Sequence, residues 1–185
     1  GSLHPLQSFA SKHLEKNPFK GIIISVEGSD KAIAIARQMA GDLKATCITI
    51  RTGAKTLYHA AAVVASNYLV TLFDLAFKLM ETAGIPPGEA FNVLKPLVNG
   101  TVLNIENVGI IEALTGPIAR GDTDTIEGHW AAMLSKTPDV VALYKMLGYY
   151  TVEVARAKKT ITDDAAQALK TLLKHETQFR SRQSE

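Results

Sequence analysis

Between Lys55 and Ile85 the sequence KTLYHAAAVVASNYLVTLFDLAFKLMETAGI is apolar on almost every side, with no polar side chain from Ala60 to Ala65. Its polar residues are grouped. At 100° per residue Lys55, His59 and Ser66 fall within about 40° of one another, and Asn67 lies on the adjoining flank. Tyr58 belongs to the same first turns. Thr71, Asp74, Lys78 and Glu81 continue from Asn67 as one wetter stripe. The pattern predicts a long central helix, buried nearly all round, with a polar constellation near its start. Ala83-Gly84, followed by Pro86 and Pro87, ends it.

The segments before this helix have a different period. Residues 3–20 are punctuated by Pro5 and Pro18 and read as irregular, with a helical turn at Ser11 to Lys16. Gly21 to Val26, GIIISV, is rich in β-branched residues and bounded by turn residues, which predicts a strand buried on both faces. Ser29 or Asp30 can cap a helix over about 30–43, in which Ala32, Ile33, Ala36, Met39 and Ala40 recur at helical spacing. A second strand of the same kind follows at 46–50. Strand, helix and strand within about 30 residues make a βαβ unit with a parallel, right-handed crossover. Two such strands need neighbours, so the rest of their sheet is expected outside this sequence, upstream or on another subunit.

After Gly53 everything reads as helix. A second helix starts near Pro87 and Glu89, with Pro96 and Gly100 expected to kink or divide it, and a short piece follows from Val108 to Leu114. Asp124 and Glu127 have the spacing of a capping box for a helix carrying Ile126, Trp130 and Met133. Pro138 opens the next helix, with Val141, Tyr144, Leu147, Tyr150, Thr151 and Val154 near one side. The last runs from Thr162 to about His175, with Ala165, Leu169, Leu172 and Leu173 facing inward, before a polar tail at 178–185.

Composition narrows the class of protein. With 46% hydrophobic residues in 185, the chain can build a real core. A net charge of +2, without a basic run among aromatics, argues against nucleic acid. The single cysteine, Cys47, excludes an internal disulfide and fits a reducing cytoplasm. Only the central helix approaches a membrane span. His59, Asn67, Asp74 and Lys78 interrupt it, which favours a buried core helix and no membrane partner. The five histidines are dispersed, so no metal site is expected. Neither a GxGxxG nor a Walker sequence occurs.

Candidate chemistry lies in three places. Lys55 and His59, one helical turn apart, can orient a carboxylate, carry a proton and supply fixed positive charge to an anion or alkoxide. They also suit a helix-start lysine and a histidine packed at a domain junction. Ser66 and Asn67 need hydrogen-bond partners in an apolar helix, from a neighbouring helix or from a ligand. His4-Pro5-Leu6-Gln7-Ser8 is a polar cluster placed in a loop before the first strand, where Pro5 restricts His4 to extended geometry. In Thr115 to Asp122, TGPIARGD, Arg120 can bind a carboxylate or phosphate bidentately, or pair with Asp122 in a helix connector.

Three segments carry a resemblance. LHPLQSFA at Leu3 to Ala10, KTLYHAAAVVASNYLV at Lys55 to Val70 and LTGPIARGDTDTIEGHW at Leu114 to Trp130 are similar to Rossmann-like, NAD(P)-dependent oxidoreductase-like proteins with a C-terminal domain of unknown function. These are related to pyrroline-5-carboxylate reductase and the 6-phosphogluconate dehydrogenase group, and more distantly to prephenate dehydrogenases. The resemblance implies a Rossmann domain followed by an all-helical domain that makes the dimer and closes the active-site cleft. It implies that His4, Gln7, Lys55, His59, Asn67 and Arg120 line that cleft.

The expected architecture is therefore mainly α. A helical bundle of the 6-phosphogluconate dehydrogenase C-terminal type (53–185) serves dimerisation and substrate binding, preceded by a βαβ remnant of a Rossmann domain (1–52). The expected function is that of the C-terminal portion of a cytoplasmic NAD(P)-dependent oxidoreductase acting on a small, anionic carbonyl, imine or hydroxy compound. Lys55 and His59 are its catalytic candidates, and His4, Gln7, Ser66, Asn67 and Arg120 its substrate-binding ones. The alternative is a non-catalytic dimerisation or ligand-sensing module. NAD or NADP belongs to the full-length parent in this reading. Calorimetric titration of the 185 residues with NADP is expected to give no binding at micromolar concentration, and micromolar affinity would overturn the assignment.

Overall fold

The computed structural model describes residues 1–9 and 17–174. The helical turn expected at Ser11 to Lys16 and the polar tail at 178–185 lie outside the described residues. The fold is mainly helical, with a small three-stranded sheet at the N-terminus. Contacts divide it into two units, Gly1–Phe73 and Asp74–Glu185, with the border inside the long helix.

The first unit holds the sheet. β1 (Ser2–Leu6), β2 (Ile23–Glu27) and β3 (Thr46–Thr49) lie in that order; β1 pairs antiparallel with β2, and β2 pairs parallel with β3 across α1 (Asp30–Asp42). The predicted βαβ unit is thus β2-α1-β3. Ile24, Ser25 and Val26 are consecutive and all buried, so β2 is covered on both faces. Ala36 and Ala40 of α1 pack on it with Ile33 and Leu43, whereas Met39 faces outward. Ser29 occupies the N-cap position in extended conformation but makes no side-chain cap bond.

Two expectations for this unit are corrected. Residues 2–6 are a strand and not part of an irregular run. Pro5 is tolerated because β1 lies at the sheet edge, where a strand can do without one ladder donor. β3 is not buried on both faces. It is the other edge strand, and only Cys47 on it is even half-buried.

The long helix, α2 (Lys55–Thr82), has nearly the predicted bounds, and Gly84 follows it at φ 98°. Its burial differs from the expectation: Leu75 is the single buried residue among its 28. The chain's own described elements do not supply the cover that so apolar a helix calls for. By length and composition α2 could cross a membrane. Its last turns instead enter a protein core, where Leu75 and Leu79 meet Met133 and Val140. Lys78 there pairs with Asp74 at 3.1 Å and stands 3.9 Å from Asp139.

The second unit continues with α3 (Ala90–Ala113), α4 (Pro117–Arg120), α5 (Thr123–Lys136), a 3₁₀ turn (Pro138–Val140), α6 (Val141–Lys158) and α7 (Asp163–Leu173). Its main core joins Ile126 of α5, Val152 of α6, and Ala166, Leu169 and Leu173 of α7. Within α6 the inward residues are Gly148, Val152 and Ala155, and Tyr150 is exposed, so the buried stripe is rotated from the predicted one. Small residues explain the rotation. A β-carbon on Gly148 would stand 2.9 Å from Leu173 Cδ2, so α7 approaches α6 where side-chain bulk is least.

The break in α3 is at Gly109 (φ 78°, ψ 169°), while Pro96 and Gly100 lie within the helix. A left-handed φ is available to glycine without steric penalty. Lys158 closes the far end of α3, donating to the carbonyls of Glu112 at 2.7 Å and Leu114 at 2.9 Å. Lys170 of α7 pairs with Glu153 of α6.

The cap of α5 is Asp122 and not Asp124. Its carboxylate accepts from the Thr125 backbone N–H at 3.0 Å and from the Thr125 hydroxyl at 2.7 Å. Those bonds hold the Asp122 carboxyl below its ordinary value, with a smaller contribution from the Arg120 guanidinium. A carboxyl depressed in the folded state stabilises fully above the unfolded value, about pH 4, and the gain is lost as pH falls through the folded value. Asp122→Ala is therefore expected to melt below the parent at neutral pH, with the gap closing on acidification. Asp122→Asn, which still accepts the backbone bond, should retain most of the stability. Thermal melts between pH 7 and about pH 2 measure both.

Candidate functional site

A cleft of about 470 Å³ opens in the first unit between the end of β1 and one face of α2. His4, Pro5, Leu6, Gln7 and Ser8 form one wall. His59, Ala62, Val63, Ala65, Ser66 and Asn67 form the other. The helical wall follows from periodicity: counted from His59, the steps to Ala62, Val63, Ser66 and Asn67 are those of a single face. The strand wall follows from register. His4 lies opposite Ser25, whose buried hydroxyl donates to the His4 carbonyl at 3.4 Å.

Five of the seven candidate residues meet here: His4, Gln7, His59, Ser66 and Asn67. The imidazoles of His4 and His59 stand edge to face, with ring centres 5.8 Å apart. Lys55 is exposed at the first turn of α2, one turn before His59, and does not line the cleft. Arg120 is exposed at the end of α4 in the second unit. Among the described residues no ion pair within 4 Å joins it to Asp122. Gly116 (φ 93°) and Gly121 (φ 72°) flank α4, both at positive φ.

Among the described residues the lining has no lysine, arginine, aspartate or glutamate. The cleft offers hydroxyls, amides and imidazoles, a set that donates and accepts hydrogen bonds and can move a proton without a fixed charge. One further polar group lies against it. Tyr58 is edge to face with His4, ring centres 6.2 Å apart. The sequence places Tyr58 in the polar first turn, but its neighbourhood to His4 depends on β1, which the pattern does not predict.

The strand–helix turn between β2 and α1 does not fit a dinucleotide. Asp30 brings negative charge to the helix N-terminus, where a pyrophosphate would need positive potential. Beside Gly28, the space a phosphate would approach is filled by Gly1, 2.6 Å from a β-carbon built there. Among the described residues no three His, Cys, Asp or Glu side chains gather in a way that could hold a metal ion.

Comparison with solved structures gives similar folds, among them the following two. Protein TM1727 from Thermotoga maritima aligns with a TM-score of 0.68 and 29% identity over 85% of this chain. A putative NADP oxidoreductase, BF3122 from Bacteroides fragilis, aligns with a TM-score of 0.65 and 26% identity over 84% of this chain. The chain spans 62% and 55% of the lengths of these two proteins. No curated protein matches it. A family model, that of a domain of unknown function (DUF2520), matches residues 22–151. That match takes in the βαβ unit, the helical wall of the cleft and the helices through most of α6, and the chain accordingly belongs to the DUF2520 family.

Proposed function

We propose that this chain is the substrate-side portion of an NAD(P)-dependent oxidoreductase-like protein, and that the cleft between β1 and α2 receives a small carbonyl, imine or hydroxy compound. The observation that carries this reading is the convergence of His4, Gln7, His59, Ser66 and Asn67 on one cleft. Similarity to the Bacteroides fragilis oxidoreductase supports it. His59 is the proton carrier, because its ring stands on the rigid helical wall facing a second imidazole. His4, Gln7, Ser66 and Asn67 orient the ligand, and Lys55, one turn before His59, stabilises developing negative charge. NAD or NADP belongs to the parent protein in this reading, and these 185 residues hold neither tightly.

The helical part, 53–185, is of the 6-phosphogluconate dehydrogenase C-terminal type in this proposal, with residues 1–52 the end of a Rossmann domain. Cytoplasmic residence suits the lone Cys47. In a full-length protein with a known substrate, His59→Ala is expected to lower kcat by about 10²–10⁴-fold, and Lys55→Ala by less. Ser66→Ala and Asn67→Ala should act mainly on KM. Turnover unchanged by His59→Ala would remove the catalytic assignment.

One observation favours the second reading, a ligand-sensing module without chemistry: among the described residues the cleft lining supplies no carboxylate to orient either imidazole. Under it, His59→Ala weakens ligand binding in calorimetry and leaves turnover intact.

Both readings include a homodimer. In α3 only Ala90 is buried, while Leu97, Val102, Leu103, Val108 and Ile110 are exposed. So much exposed apolar helix surface calls for a partner. Leu97 and Ile110 also line a groove of about 570 Å³ between α3 and α6, which a second copy would fill. Sedimentation is expected to show a dimer at micromolar concentration, and the double change Leu97→Glu with Ile110→Glu a monomer. A clean monomer of the parent chain would refute the proposal.

A further inference from the structure

The geometry points to a second ligand site, in the second unit: a groove beside Trp130 that takes a small amphipathic anion, an alkyl chain ending in a carboxylate. The groove has a volume of about 500 Å³ and lies between the end of α5, the start of α6 and Lys174, just past α7. Helical periodicity assembles it. Trp130 and Leu134 are one turn apart on α5, and Val141, Ala142 and Lys145 share one face of α6. Pro138 of the 3₁₀ turn completes the lining.

The apolar part is firm and uncovered. Val141 packs against the core of Leu75, Met133 and Val140, so it is held in place. Leu134 is 55% exposed, so an alkyl chain laid in the groove has apolar surface left to remove from water.

The polar part is cationic. Lys145 Nζ stands 4.1 Å from the centre of the Trp130 ring. A cation–π contact of that kind holds an ammonium that otherwise moves freely on its four-carbon stem. Lys174 supplies a second positive charge. Among the described residues no carboxylate lines the groove or lies within 4 Å of either ammonium. The nearby Asp139 carboxylate is 3.9 Å from Lys78. A lysine after a helix C-terminus complements the helix dipole, which accounts for Lys174 alone. Lys145 lies in the second turn of α6 and has no such role.

Small-molecule pockets have this make-up, a mostly apolar lining with a few polar groups that fix orientation. A carboxylate head gains charge-assisted hydrogen bonds from an ammonium. A neutral head of the same shape forgoes most of that gain, and a cationic one is repelled. Charge complementarity therefore selects the anion. The site is separate from the cleft between β1 and α2, and its test does not depend on the function proposed for that cleft.

Trp130 is the only tryptophan in the chain, so its fluorescence reports on this groove. Octanoate, octanamide and octylammonium share one alkyl chain and differ in the charge of the head. Titration of the 185-residue chain with octanoate is expected to give a saturable change in Trp130 emission. Octanamide should bind about fivefold more weakly, as befits an exposed ion pair, and octylammonium should give no change. Lys145→Met keeps a straight side chain beside the indole and removes the charge. It should lower octanoate affinity to the octanamide level, with circular dichroism checking the fold. Equal affinities for octanoate and octanamide in the parent overturn the inference, whether or not the variant folds. An emission that ignores octanoate does so too, as does an unchanged affinity in a folded Lys145→Met. Emission that responds to poly-glutamate and not to octanoate makes the groove a protein-docking surface and overturns the ligand assignment. Emission that varies with protein concentration, and not with octanoate, makes it an interface between copies and overturns it equally.

Discussion

Five residues at the start of the chain pair antiparallel with β2, and that ladder fixes where His4 stands. Its position does not come from its own side chain, which makes no hydrogen bond among the described residues. It comes from the backbone register, His4 opposite Ser25, and from the buried Ser25 hydroxyl that donates to the His4 carbonyl. A slip of one residue would turn His4 to the other face of the sheet and bring Leu3 or Pro5 to its place. β2 resists that slip because Ile24, Ser25 and Val26 are all buried, so neither face can be exchanged without exposing apolar surface. The cleft is therefore held on its strand side by a ladder and on its helical side by the rigidity of α2.

Different physical signals made different parts of this legible. The helical wall could be read from the chain because His59, Ser66 and Asn67 are related by a period that a helix obeys wherever it packs. The βαβ unit was readable from its β-branched runs and short connection. β1 was not, since Pro5 removes a ladder donor and counts against a strand unless the strand is known to lie at an edge, which depends on the whole sheet. Tyr58 was unreadable as a neighbour of His4 for the same reason. In the second unit the misplacements are competitions between similar residues. Asp122 precedes α5 and Asp124 lies in its first turn, and Asp122 takes the cap, with Thr125 donating to it twice. Gly109, with no side chain to clash at positive φ, breaks α3 where Pro96 only removes one donor.

The prediction that α2 is buried nearly all round failed through a correct premise. A helix with so continuous an apolar surface does require cover, and the sequence shows the requirement. It does not show who supplies it. Leu75 and Leu79 find cover from Met133 and Val140 near the C-terminal end of α2. Elsewhere Leu57, Val64 and Val70 stay exposed, as do Leu97 and Ile110 on α3. Burial of apolar area is non-directional, at roughly 25 cal/mol per Å², so it rewards any complementary surface. Sequence periodicity carries the demand for a partner without naming it.

The same exposure bears on selectivity. Gln7, Ser66 and Asn67 are open to solvent, so each can exchange a ligand hydrogen bond for one to water at little net cost. A substrate lacking the matching hydroxyl would then be disfavoured only weakly. Strong discrimination, by factors of 10⁴ or so, arises where a site's polar groups are buried and left unpaired by the wrong ligand. Among the described lining residues the buried, unpaired polar atom is His4 Nδ1. Gln7, Ser66 and Asn67 would join it only once a surface closes over β1 and α2. Selectivity in this site therefore depends on the same missing cover as the stability of α2, and whatever buries the helix also sharpens what the cleft accepts.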